Sequence, residues 1–303
     1  MKTRFVFTIL ILGSFVLSGC GSATQVAITP VVSAVPIVHQ VRPTLTLSLP
    51  TPTPSPLRTS TSSPTPSLDV TLTAIATSQP IRHTPPTLML HRNSLSFDPV
   101  PFLKELISIL KQNDMKVVTY EQVSKNPEMT AIGEGKLFII SIDDIYLRYP
   151  IHESVLEMIA LLREAGYPAV LGIVTESDYA YPETAQMLKE LSAEGWELAS
   201  HTDRHSNLGV METTAPRYVY TEVQTSIDKI EKATGVRART LILPEGQMVN
   251  DPRFIKRAGI IWIVGINGGV TYDSRKEMVY VGREGPAKTA QDTFRNIMAR
   301  FAP

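Results

Sequence analysis

From residue 87 onward the chain alternates short apolar runs with longer amphipathic stretches. Thr87-Leu88-Met89-Leu90 reads as a strand ending at His91. Behind Pro101, the residues Phe102, Leu103, Leu106, Ile107, Ile109 and Leu110 recur at helical spacing, which predicts a helix over 101–113. A strand is expected at 115–119. Leu137 to Ile142 (LFIISI) is continuously apolar, as in a strand buried on both faces. A helix over 154–164 with Gly166 as its C-cap follows, then a strand at 169–174, a helix at 182–194 stopped by Gly195, and a strand at 196–200. Val219, Val223, Ile227 and Ile230 share one face of a helix expected over 215–234 and ended by Gly235. Strands at 240–243, 260–265 and 279–281 and helices at 251–258 and 289–301 complete the pattern.

Strands separated by helices at this spacing imply parallel βαβ units. The expected fold class is α/β, a distorted parallel (β/α) barrel of about seven strands, closed or nearly so. A doubly wound open sheet is the alternative. Neither GxGxxG nor GxxxxGK[ST] follows any strand, so no phosphate-cradling motif is present.

The first 86 residues follow other rules. Lys2 and Arg4 precede a mostly apolar run from Phe5 to Leu17, the length of a signal-peptide core and short for a bilayer span. Leu17-Ser18-Gly19-Cys20 then resembles the bacterial lipobox, and Cys20 is the single cysteine of the chain. Residues 1–20 are therefore expected to be a lipoprotein signal peptide, with lipid on Cys20 anchoring an exported protein to the cell membrane. Residues 21–86 hold twelve of the 23 prolines and one acidic residue, Asp69. Such composition favours disorder and polyproline segments. As a flexible coil this linker would span about 45 Å, and fully extended roughly 200 Å. Residues 87–303 are left as the one folded domain.

Lysine plus arginine equals aspartate plus glutamate at 29 each, a balance that argues against a nucleic-acid partner. One cysteine excludes a thiolate metal cluster but not a site made of His and Asp. In β/α folds such chemistry gathers at the C-terminal ends of strands. The LFIISI strand runs into Asp143-Asp144, and the strand at 196–200 runs into His201-Thr202-Asp203-Arg204-His205. A helical turn over 201–205 would put both imidazoles on one face, with Asp203 and Arg204 pointing elsewhere. One Asp and two His leave an open position for water, the pattern of a catalytic rather than a structural metal site. The other Asp is free to act as a base.

These motifs resemble the polysaccharide deacetylases of the NodB-homology type (carbohydrate esterase family 4), over about residues 87–303. The resemblance implies that Asp143 is the general base and that Asp144, His201 and His205 hold one divalent metal. Zinc is the first expectation, with cobalt, nickel or iron also accepted. The third family motif corresponds to Ile242-Leu243-Pro244-Glu245-Gly246. Pro244 and Gly246 match, and the backbone of Glu245 is expected at the oxyanion. Ile242 replaces the family's base-orienting arginine, and Arg283 is the expected substitute. Ile145 replaces a glycine and is expected to crowd the pocket mouth, while Glu245 replaces an aromatic residue. No histidine follows His205, so His91 is the candidate general acid, with strand-end packing as its alternative. Trp262 falls where the family often lines an acetate pocket, and a core position is its alternative. The function implied is metal-dependent removal of N-acetyl groups from a polysaccharide containing N-acetylhexosamine. A glycan-binding pseudoenzyme on the same fold is one alternative and a glycosidase another.

Overall fold

A computed structural model describes residues 84–126, 136–266, 271–273 and 278–301. The expected signal peptide, the lipidation site at Cys20 and the linker up to residue 83 lie outside the described residues. Nine strands are described: β1 (Thr87–Leu90), β2 (Lys116–Val117), β3 (Leu137–Tyr146), β4 (Val170–Val174), β5 (Glu197–Ser200), β6 (Thr240–Ile242), β7 (Trp262–Val264), β8 (Thr271–Asp273) and β9 (Met278–Val281). The described helices are α1 (Pro99–Gln112), α2 (Tyr120–Lys125), α3 (Glu153–Ala165), α4 (Pro182–Ala193), α5 (Leu208–Thr214), α6 (Arg217–Thr234), α7 (Arg253–Arg257) and α8 (Ala290–Phe301).

The main sheet runs in the order β1-β3-β4-β5-β6-β7-β9, seven strands paired in parallel. Short β2 joins the start of β3, and β8 lies antiparallel on β9. The sheet curls until its ends meet. Just beyond β9, the Glu284 N–H donates to Thr87 O at 3.1 Å and the Met89 N–H donates to Glu284 O at 2.9 Å. One parallel bridge, Leu88 to Glu284, thus closes the barrel. The expected distorted parallel barrel is what forms.

Strand alternation sorts the side chains into two cores. Leu88, Phe138, Ile140, Ile142, Leu171, Ile173, Leu241 and Ile263 pack outward with Leu103, Leu106 and Leu110 of α1 and Val223, Ile227 and Ile230 of α6. Each such side chain, once buried, contributes about 1.5–3 kcal/mol. Leu137, Ile139, Val170, Ala199, Ile242, Trp262, Val264, Val279 and Val281 fill the interior with Tyr120 and Val123 of α2. Helix ends follow local chemistry. Asp98 caps α1 by accepting from the Val100 N–H, Thr119 and Gln122 form a capping box on α2, and Gly166 and Gly235 close α3 and α6 in the left-handed conformation. Helix α5, not expected from the pattern, begins at Asn207, whose side chain accepts from the Val210 N–H.

The N-terminal end of the barrel is plugged. Trp262 stacks on Tyr120 with ring centroids 5.0 Å apart, and its Nε1 donates to Ser124 Oγ at 2.6 Å. As the first residue of β7 it sits at the end of the sheet away from the motif loops. The acetate-pocket expectation for Trp262 is therefore replaced by its core alternative. Beside it lies Glu197, whose carboxylate accepts from the Thr240 hydroxyl and, at 2.8 Å, from the Glu121 N–H. Burial pushes this carboxyl up to about 7, against the opposing pull of those two hydrogen bonds. The ordinary value is 4.5. A raised folded value means that the carboxyl stabilises the fold fully below pH 4.5 and that this contribution is lost as pH rises through 7. The difference amounts to about 3 kcal/mol. Glu197→Gln should remove that dependence. Urea midpoints at pH 5 and pH 8 should separate by more in the wild type than in the variant, and parallel pH dependences would disprove the assignment.

Candidate active site

Two adjacent residues on a regular strand face opposite ways, so Asp143 and Asp144 need an irregularity to serve one site. Strand β3 supplies it. Its register against β4 runs Ser141–Val170 and Ile142–Leu171, then Ile145–Ile173, so one extra residue is inserted between Ile142 and Ile145. Asp144 adopts φ +62° within this bulge. The expectation that the strand ends at Ile142 is corrected: pairing continues to Tyr146, and the bulge keeps both carboxylates at the C-terminal mouth.

Asp143 is buried inside the barrel against Arg283, and each side chain is 1% exposed. Arg283 Nη1 lies 2.8 and 2.7 Å from the two carboxylate oxygens and 2.8 Å from Ser141 Oγ, while Nε donates to Gly265 O at 3.2 Å. The residue expected to replace the missing motif arginine thus contacts the expected base. Gly172 on β4 makes room: a Cβ there would stand 3.2 Å from Asp143 Oδ1 and 3.3 Å from its Cα. No pattern in the sequence marked that glycine.

The 201–205 segment is not helical. It is a bend with φ +65° at Thr202 and +53° at His205, and it brings the two imidazoles to a centroid separation of 4.8 Å, edge to face. Asp203 turns away from them, as expected, and is buried. Its Oδ1 accepts from Thr175 Oγ1 at 2.7 Å and from Lys229 Nζ at 2.8 Å. The Arg204 N–H donates to Glu222 at 2.6 Å, leaving the Arg204 side chain exposed. Residues of β4, α6 and the loops between them therefore clamp the bend from behind.

The ligand-type atoms of Asp144, His201 and His205 all lie within 4.8 Å of one another. His201 Nδ1 is 2.9 Å from Ile242 O. A carbonyl only accepts, so Nδ1 carries the proton and Nε2 of the neutral ring presents a lone pair. That lone pair faces Asp144 Oδ1 at 3.4 Å, and His205 Nε2 faces the same oxygen at 3.1 Å. Asp144 Oδ1 is buried and accepts no well-formed hydrogen bond among the described residues. Three electron-pair donors converging on one point, with one ring oriented by a carbonyl behind it, suit a divalent cation. Burial opposes ionisation of Asp144, yet His201, His205 and His91 hold its carboxyl far below the ordinary range. Asp144 in turn raises His205, against the effect of burial and with help from Glu245.

Around this triad the other expected residues fall unevenly. His91, half-exposed at the end of β1, places Nε2 4.0 Å from Asp143 Oδ2 and 3.9 Å from Asp144 Oδ2. Pro244–Gly246 forms a single turn whose Glu245 has φ +56° and accepts from Asn207 Nδ2 at 2.7 Å. Gly246, at φ +67°, lies so close to Ile266 that a Cβ would overlap it. Ile145 does not crowd the mouth: it is buried in the helix-facing core and only borders a recess beside Asp144. Trp262 is not brought to the site.

Residues 130–260 match the family model for polysaccharide deacetylases. This stretch holds both aspartates, both histidines and Pro244–Gly246, and it stops short of His91 and Arg283. No curated protein sequence gives a significant match. Among solved structures, the chain is similar to the Streptococcus pyogenes deacetylase PplD in complex with acetate, at 17% identity and TM-score 0.56, covering 74% of this chain and 100% of that one. It is also similar to a de-N-acetylase from Aggregatibacter actinomycetemcomitans, at 19% identity and TM-score 0.54, covering 70% and 98% of the two chains. IcaB from Ammonifex degensii gives 16% identity and TM-score 0.53, covering 72% and 96%. At these identities the likeness is one of fold.

Removing one partner of a buried ion pair strands the other charge, at a cost of about 3–5 kcal/mol. Arg283→Met should destabilise by that order in denaturant unfolding. The double variant Arg283→Met/Asp143→Asn should recover part of the loss, because no buried charge is left alone. Additive losses would show that the two side chains do not interact.

Proposed function

We propose that this protein is a divalent-metal-dependent hydrolase that removes N-acetyl groups from a polysaccharide containing N-acetylhexosamine, acting outside the cytoplasm from a lipid anchor on Cys20. The observation that carries the reading is the meeting of Asp144, His201 and His205 within 4.8 Å, beside an aspartate locked by Arg283. The family match over 130–260 supports it, as does the lipobox-like Leu17–Cys20 segment.

In this reading Asp144, His201 and His205 hold the metal. A metal bound there supplies Lewis acidity and lowers the pKa of water. Asp143, held still by Arg283 and Ser141, takes the proton of the water that attacks the acetamide carbonyl. The C–N bond breaks, acetate leaves with the water oxygen, and the amine leaves with a proton from His91. In this reading the backbone N–H of Glu245, at the tip of the motif-three turn, donates to the developing oxyanion. The bends at Thr202 and His205, held by Asp203, Thr175 and Lys229, keep the imidazoles from relaxing apart.

Elemental analysis of the purified protein should find about one divalent metal per chain, lost in the double variant His201→Ala/His205→Ala. Asp143→Asn should keep the metal while acetate release from N-acetylated glycans falls about 10²–10⁴-fold. Full activity in Asp143→Asn would remove it as the base. Metal absent from the wild type even after zinc incubation would favour glycan binding without turnover.

A further inference from the structure

Beside the triad lies a recess of about 160 Å³ bordered by Arg92, Asp144, Tyr146, Tyr149 and His152. The charges around it are spoken for, with one exception. Arg283 is buried on Asp143. Arg148 pairs with Glu176 at 3.0 Å and stacks over the Tyr149 ring at 4.5 Å. Arg92 follows His91 directly at the end of β1, is exposed, and makes no ion pair or hydrogen bond among the described residues. It stands at the rim of a site otherwise rich in carboxylates: Asp143, Asp144, Glu176 and Glu245.

Tyr146 and Tyr149, which border the same recess, form an aromatic platform. Tyr149 is 48% exposed. Its ring lies against the Arg148 guanidinium, and its carbonyl accepts from Thr184 Oγ1 at 2.7 Å. Tyr146 packs 6.3 Å from it. A half-exposed tyrosine offers an apolar face suited to the face of a sugar ring. An unpaired guanidinium bordering the same recess offers a planar fork that fits a carboxylate or phosphate. A neutral glycan would use the platform and leave the fork to water.

Resting on the deacetylase reading above, we infer that Arg92 and Tyr149 form a subsite for an oxyanion-bearing sugar, so that the protein prefers acetylated glycans carrying a carboxylate or phosphate next to the acetamido unit it presents to Asp143. At a solvent-exposed guanidinium such a contact is worth about two- to fivefold in affinity. The preference should shrink as salt is raised, because the subsite is open to solvent.

The test uses the full chain and glycans of matched length. These are a neutral N-acetylglucosamine oligomer, a peptide-free glycan carrying muramyl lactyl carboxylates, the same glycan with those carboxylates amidated, and a phosphate-bearing N-acetylhexosamine polymer. Acetate release and calorimetric binding are both measured. Wild type should favour the carboxylate glycan over its amide about two- to fivefold, or the phosphate polymer over the neutral oligomer by the same factor. Which of the two wins identifies the oxyanion. Arg92→Gln should bring the ratio to about one, and Arg92→Lys should restore part of it. Equal binding and turnover of charged and amidated glycans by wild type, or an undiminished preference in Arg92→Gln, overturns the subsite. An Arg92-dependent preference in binding without acetate from any glycan supports the subsite and overturns the deacetylase reading instead.

Discussion

The buried pair of Asp143 and Arg283 is the constraint around which the rest of the site is arranged. Two charges enclosed in a barrel interior are tolerable only when each satisfies the other and the remaining donors and acceptors are matched. Ser141 and the Gly265 carbonyl supply that matching, and Gly172 keeps side-chain atoms out of the space the carboxylate occupies. The pair also ties β3 to the segment after β9, across the seam where the barrel closes through one bridge to Leu88. Shape and chemistry are therefore coupled: loosening the seam would loosen the carboxylate.

Backbone strain gathers in the same place. Of the six described non-glycine residues with positive φ, Asp144, Thr202, His205 and Glu245 belong to the three motif segments, and Glu176 donates its N–H to Asp203 O. Such conformations cost of order 1–3 kcal/mol each and persist only where surroundings over-determine them. Here the surroundings are visible. Asp203 is held by Thr175 and Lys229, Arg204 by Glu222, and Glu245 by Asn207. The helices thus hold the loops in shapes those loops would not choose alone.

Much of the barrel was legible because its cause is local. The continuous apolar run at Leu137–Ile142 and the one-faced spacing of Val219, Val223, Ile227 and Ile230 report burial directly, and Gly166 and Gly235 mark their helix ends. The site was legible as residue types but not as geometry. A bulge in β3 depends on pairing with β4, which no local pattern encodes, so the strand appeared to stop two residues before its second aspartate. The His-x3-His spacing suggested a helical turn, whereas a bend held by Asp203 does the work. Trp262 was ambiguous because a strand position alone does not say which end of the barrel a side chain faces. Arg92 carried no signal, since an exposed arginine becomes informative only once its neighbours are known to be paired elsewhere.

The order in which the chain is made gives the barrel seam a further meaning. Asp143, Asp144, His201, His205 and the motif-three turn all precede residue 250, but Arg283 and the bridging Glu284 follow β9, more than 30 residues later. A nascent chain short of that point has its prospective metal ligands and an aspartate with no partner to neutralise it inside a barrel. Completion of β9 and the segment after it thus both closes the barrel and assembles the Asp143 pocket, so a polypeptide that stops short of Arg283 lacks the partner its buried aspartate needs.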